Sequence, residues 1–126
     1  MLDAMAEPDI RLKRAYDAPA RDDGRRVLVD RVWPRGRSKA ELALHAWCKD
    51  IAPSDELRKW FGHDASRWTE FRRRYRAELR GKGEVLDELL ALAQPRLTLV
   101  FGAADKAHNQ AVVLRARLLE RYRKRN

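Results

Sequence analysis

Two short apolar runs, Arg26-Val27-Leu28-Val29-Asp30 and Leu97-Thr98-Leu99-Val100-Phe101, constrain this chain more than any other feature. Each is rich in β-branched and large apolar residues over a length suited to a strand buried on both faces. Between them lie several segments with helical periodicity. Strands separated by helices favour parallel pairing in a sheet covered on both sides. Ile10-Arg11-Leu12-Lys13-Arg14 adds a third candidate strand, with Ile10 and Leu12 alternating onto one face. The expectation is an α/β fold: a small, mainly parallel sheet of three or four strands covered by helices, in a single domain. With 126 residues the chain suits one continuous core. Residues 1–8 read as a flexible leader and 9–126 as the domain.

The intervening helices carry their own signals. Ser38 followed by Glu41 forms a capping-box pattern that starts a short helical turn at Lys39. Pro53-Ser54-Asp55-Glu56 opens a helix whose apolar face is Leu57, Trp60 and Phe61, with Gly62 as its stop. Trp68, Phe71, Tyr75 and Leu79 fall on one stripe of the next helix, which Asp64 caps and Gly81 and Gly83 end. Glu84 to Ala93 is a leucine-rich helix stopped at Gln94-Pro95. A last helix, capped at Asp105, buries Ala107, Ala111, Leu114, Leu118 and Tyr122 along one side.

Topology then points to a site. If strands 26–30 and 97–101 are parallel neighbours, the loops after Asp30 and Phe101 leave the same edge of the sheet, where open α/β sheets bind ligands. The first loop, Asp30-Arg31-Val32-Trp33-Pro34-Arg35-Gly36, supplies Asp30, Arg31, Trp33, Arg35 and, just beyond it, Arg37. The second, Gly102 to Asn109, supplies Asp105, Lys106, His108 and Asn109. Arg31 and Arg35 can grip an anion bidentately, and a helix opening in the second loop aims its backbone N–H groups into the crevice. The expected ligand is therefore an anionic, phosphate- or nucleotide-like small molecule. His108 is the candidate acid or base, with Asp30 or Asp105 as orienter. Arg31, Trp33, Arg35, Lys106 and Asn109 are the candidate ligand contacts. Whether the chain is an enzyme stays open, because each of these side chains also has an ordinary structural role, such as Asp30 pairing with Arg31 or Arg14.

Other chemistry finds less support. His63-Asp64 forms a possible base and orienter, but Asp64 already serves as a cap. His45, Cys48, His63 and His108 lack the coherent spacing of a metal site, so neither metal nor cofactor is expected. Cys48, the single cysteine, reads as a packed thiol in a reducing compartment. With no apolar run near the roughly 20 residues that span a bilayer, a cytoplasmic protein without a membrane partner is expected. The net charge of +9 raises a second reading, nucleic-acid or polyanion binding through Arg72, Arg73, Arg74 and Arg76 and the arginines between 115 and 125. These alternate with apolar residues at helical spacing and suit solvated helix faces better. A third reading is a non-catalytic interaction module; the oligomeric state is not legible.

Three stretches, RVLVDRVWPRG from Arg26, IAPSDELRKWFGHD from Ile51 and LTLVFGAADKAHNQAVVL from Leu97, together resemble the YeaO-like family of small bacterial proteins, domain of unknown function family 488. The resemblance runs in order from about residue 9 to about 122. It implies a small α/β fold with the Asp-Arg-x-Trp-Pro-Arg-Gly loop and the Asp-Lys-x-His-Asn segment as hallmarks. These are matched by Asp30, Arg31, Trp33, Pro34, Arg35 and Gly36, and by Asp105, Lys106, His108 and Asn109. The chain departs from the family pattern at Ala65, where proline is more usual, at Gln110, in place of histidine, and at Cys48, which fills a typically apolar position. The change at Gln110 puts in doubt any chemistry needing a second imidazole there, and Cys48 argues against a thiol mechanism.

Overall fold

The structure, a computed structural model, describes residues 7–125. The expected leader falls largely on residues 1–6, which lie outside the described residues. Four parallel strands form one sheet in the order β1 (Asp9–Arg14), β4 (Arg96–Phe101), β2 (Arg25–Leu28), β3 (Ala46–Trp47). The five α-helices among the described residues are α1 (Lys39–Leu42), α2 (Asp55–Phe61), α3 (Trp68–Leu79), α4 (Gly83–Leu92) and α5 (Gln110–Arg125). The expected parallel pairing of the two apolar runs is present: Val27 stands opposite Leu99 and Leu28 opposite Val100. The stretch between Leu44 and Ile51, ambiguous in sequence, becomes the two-residue edge strand β3 and a 3-10 turn at Lys49–Ile51.

Alternation along the central strands divides the interior in two. Val27, Val29, Leu97, Leu99 and Phe101 join the large core beneath α2 to α5. Leu28 and Val100 point to the other face and pack with Ala15 and Leu42, beside Trp33 and Trp47. The aromatic stripe of α3 stacks into the large core, with Phe71 lying 4.2 Å from Phe61 and 5.9 Å from Tyr75 between ring centroids. The buried Tyr75 hydroxyl donates to the Ile51 carbonyl at 2.6 Å, so the polar end of this large ring is satisfied inside the core.

At the amino end of the sheet a buried ionic network closes the structure. The Asp23 carboxylate accepts from Lys13 Nζ at 3.0 Å, from Arg26 at 2.8 Å and from the Ala20 N–H at 3.0 Å. Arg26 also donates to the Leu42 carbonyl at 2.9 Å, and Thr98 donates to the Asp23 carbonyl at 2.6 Å. The turn into β2 depends on Gly24, whose φ is +67° and whose added Cβ would lie 2.4 Å from the Arg96 carbonyl oxygen.

Several boundaries differ from the sequence expectation: β2 ends at Leu28, not Asp30, Gly83 opens α4, and α5 begins late. The last helix starts at Gln110, not just after Asp105. Asp105 Oδ1 accepts from the N–H groups of Ala107 and His108, at 2.9 and 3.0 Å, and so closes a local turn. Buried Asn109 caps the helix instead, accepting from the Val112 N–H at 3.2 Å. Ala107 is consequently exposed, while Ala111, Leu114 and Leu118 are buried as expected.

Asp23 and Arg26 are only 5% and 4% exposed, and removing one partner strands the other charge in the interior. Asp23→Ala is therefore expected to cost roughly 3–5 kcal/mol in urea unfolding. A loss below about 1 kcal/mol, the range of a surface ion pair, would show that the network does not hold this end of the sheet.

Candidate functional site

Beyond the carboxyl ends of β2 and β4 a cavity of about 590 Å³ opens to solvent. Three segments line it: Asp30 to Arg35 after β2, Pro53 to His63 through α2, and Gly102 to Gln110 ahead of α5, with Phe71 of α3 at its base. Burial grades from floor to mouth. Pro34, Pro53, Phe61, Phe71 and Ala103 are buried, whereas Val32, Arg35, Arg58 and His63 are exposed. The result is an apolar, partly aromatic slot with basic side chains around the opening, as in pockets for small molecules.

Asp30 supplies the polar group within this slot. Its Oδ2 accepts from the Gly102 N–H at 2.8 Å, and Oδ1 accepts from the side-chain amide of Gln110, the first residue of α5. Its backbone carbonyl accepts from Trp47 Nε1 at 2.7 Å. The approach to Gly102 is close enough that a Cβ there would lie 2.9 Å from Oδ2. Both hydrogen-bond donors to the carboxylate are neutral. Burial raises the pKa of Asp30 to about 6, while these donors and the positive charges of His63 and Arg58 pull the other way.

Neither arginine considered in sequence as a partner of Asp30 pairs with it. Arg14 donates to the Ala103 carbonyl at 2.8 Å. Arg31 lines the cavity, but its guanidinium reaches the carbonyls of Pro53 and Ala52 at 3.0 and 3.3 Å and ties the first loop to the segment before α2. Trp33 also lines the cavity. Its ring packs edge-on against Trp47 at 5.2 Å, and its indole N–H donates to the Arg37 carbonyl at 2.6 Å. Arg37 itself bonds the Ala15 carbonyl and Glu41. At the mouth, Arg35 has its backbone carbonyl held by the Tyr16 hydroxyl at 2.9 Å, and among the described residues its guanidinium has no ion-pair partner.

The second loop divides. Asp105 and Asn109 line the cavity; His108 and Lys106 do not. The His108 ring donates from Nδ1 to Asp105 Oδ2 over 2.9 Å and stands edge-on to Trp68 at 5.2 Å. That partnership holds Asp105 below the usual carboxylate range, chiefly through the bond to His108. The two halves of the expected acid–base pair thus face each other across a surface turn, not across the cavity. Sequence reasoning did not place Arg58 and Gln110 in the site, and it treated His63 separately. Arg58 and His63 fall within the second family-like stretch, which was the available signal. His63 is held with φ of +58°, an uncommon conformation for a residue other than glycine. Among the described residues no group of three or more His, Cys, Asp and Glu side chains is arranged to hold a metal ion. Burial raises the pKa of Cys48, which packs beside the large core.

A carboxyl whose pKa is higher in the folded chain than in the unfolded one holds its proton more tightly when folded. Its favourable contribution is complete below about 3.8, the ordinary value, and is lost as the pH rises through about 6. The size of that loss is about 3 kcal/mol. Asn in place of Asp30 can keep the Gly102 bond and pair with Gln110 after an amide flip, without an ionisable group. Asp30→Asn is therefore expected to be more stable than the wild type above pH 7, with the difference shrinking on acidification towards pH 4. A difference that is independent of pH across this window would show that Asp30 ionises there without penalty.

Comparison with known proteins agrees with the motifs. Residues 9–126 match the family model described as the inactive DUF488-N3 subclade. The uncharacterised protein YeaO of Escherichia coli is 43% identical over 107 residues, covering 84% of this chain and 93% of that protein. Uncharacterised proteins of Mycobacterium tuberculosis and Mycobacterium bovis are each 40% identical over 108 residues, covering 86% of this chain and 92% of theirs. No solved structure gives a significant match. With its parallel sheet, its Asp30 to Gly36 loop and a family match from Asp9 onward, the chain belongs to the YeaO-like DUF488 family.

Proposed function

We propose that this protein binds an anionic small molecule, phosphate- or nucleotide-like, in the cavity at the carboxyl ends of its strands. The carrying observation is the arrangement of that cavity. An apolar, aromatic interior is ringed at its mouth by the Arg35 guanidinium, the His63 imidazole and the Arg58 guanidinium, which also bonds Asp55 at 3.2 Å. An anionic group at the mouth meets the unpaired Arg35, and a flat apolar body fills the slot beneath. Binding without turnover is the favoured form of this reading. His108, the expected acid or base, lies outside the slot and is bonded to Asp105 at its edge, and the matching subclade is described as inactive.

Polyanion binding through α3 and α5 has weaker support, because many of the arginines concerned are already paired. Arg73 and Arg74 bond Glu70, and Arg76 bonds Glu120. Arg121 and Arg125 bond Asp87, and Arg123 bonds Glu7. A protein-docking role has little apolar surface to use. Among the described residues, the large apolar side chains that are exposed are Tyr16, at 40%, and Val32, at 55%. Among the described residues no helix is long and apolar enough to cross a membrane, and the single half-buried thiol suits a reducing, cytoplasmic setting.

Thermal unfolding in the presence of inorganic phosphate, ribose 5-phosphate and nucleoside monophosphates tests this reading. A ligand at a hundred times its Kd adds about 2.7 kcal/mol of stability, roughly 10 °C for a domain of this size. The combined substitution of Arg35→Glu and Arg58→Glu is expected to remove the shift while leaving the ligand-free midpoint within a few degrees. Absence of any shift, or a shift that survives charge reversal, would contradict it. Salt-sensitive binding to DNA or RNA that is indifferent to these two residues would favour the helical arginines instead.

A further inference from the structure

The polarity of the cavity says more about the ligand than its mouth does. Basic side chains at the opening suit an anion, but the charged groups further in are the Asp30 carboxylate and the Arg31 guanidinium, and Arg31 bonds the Pro53 and Ala52 carbonyls through Nε and one Nη. A simple phosphate or a short carboxylate seated in the slot would face Asp30 with like charge. The ligand that satisfies both ends is bipolar, with an anionic group outside and hydrogen-bond donors inside.

The geometry of Asp30 narrows the donor. Each carboxylate oxygen accepts one bond from the protein, Oδ2 from the Gly102 N–H and Oδ1 from Gln110. Each therefore keeps a second lone pair, so the pair of oxygens together can accept two further parallel N–H bonds. Flat apolar and aromatic walls, including Trp33, Pro34 and Phe61, surround it, and such walls suit a planar ring. We propose that Asp30 reads the edge of a base carrying two adjacent N–H donors, the 2-amino and ring N–H edge of guanine, in a nucleotide whose phosphate lies at Arg35 and Arg58. This deepens, and rests on, the reading of the cavity as a site for a nucleotide-like anion. Hypoxanthine keeps the ring N–H but lacks the amino group, and adenine offers an acceptor where guanine has its ring donor, so both leave a carboxylate lone pair unmatched.

Titration calorimetry on the wild type and on Asp30→Asn, with guanosine, inosine and adenosine 5′-monophosphates, guanosine and ribose 5-phosphate, tests the assignment. The wild type is expected to bind guanosine monophosphate at least about tenfold more tightly than the inosine and adenosine compounds, the effect of one lost bond to a charged acceptor. Asp30→Asn, whose amide donates where one lone pair accepted, is expected to bring the guanine and hypoxanthine compounds within about threefold of each other; its folding is checked by its unfolding midpoint. Equal binding of all three nucleotides by the wild type overturns the base assignment while leaving the phosphate reading in place. A guanine preference that persists in Asp30→Asn also overturns it. Guanosine binding as tightly as its monophosphate, with the Asp30 dependence intact, supports the donor edge and removes the phosphate from the account. If none of the five compounds binds, both fall.

Discussion

The carboxylate of Asp30 is the interaction on which the architecture of the site depends. It stands at the exit of β2, bonds the backbone where β4 ends at Gly102 and takes the side chain that opens α5. Three segments distant in sequence are thereby fixed around one half-buried acid. A neutral amide could make much of the same framework without the cost of holding a charge away from water. The acid is raised to a pKa of about 6, and a half-buried group with such a perturbed pKa lining a cleft is more characteristic of recognition or chemistry than of scaffolding.

The two ends of the sheet handle charge in opposite ways. At the amino end, Asp23 is surrounded by Lys13, Arg26 and a backbone donor, so the ions neutralise one another inside the structure. At the carboxyl end Asp30 has neutral donors, and the cations sit at the solvent boundary. One arrangement closes the fold; the other leaves a carboxylate with only neutral donors beside an open slot. On α3 and α5 six arginines, Arg73, Arg74, Arg76, Arg121, Arg123 and Arg125, pair with Glu70, Glu120, Asp87 and Glu7. These exposed pairs leave the net charge of +9 as it is, because each matches one cation with an acid already counted in it.

The sequence carried the parallel pairing of β2 and β4 because both strands are buried on two faces and written almost wholly in apolar residues. From that pairing the meeting of Asp30 with the Gly102 to Asn109 loop followed. Local competition among caps was harder to read. Asp105 and Asn109 are both good caps, and the outcome turned on burial of Asn109, which sequence spacing does not encode. The same register decided that His108 would meet Asp105 and Trp68 outside the cavity. Arg58 and Gln110 entered the site through tertiary packing, α2 bringing one and the shifted start of α5 the other. The role of Arg31 was concealed in a similar way, because its acceptors are backbone carbonyls, which leave no trace in residue type.

The central claim is that Asp30 is a half-buried, ionisable acceptor lining the proposed ligand cavity. Carbon-13 NMR titration of the Asp30 carboxyl, assigned by its loss in Asp30→Asn, measures this most directly. The account predicts a titration midpoint near 6 in the free protein, moving down when a ligand donates hydrogen bonds to the ionised form. A midpoint at the ordinary value near 3.8, unmoved by any ligand the protein binds, would contradict it.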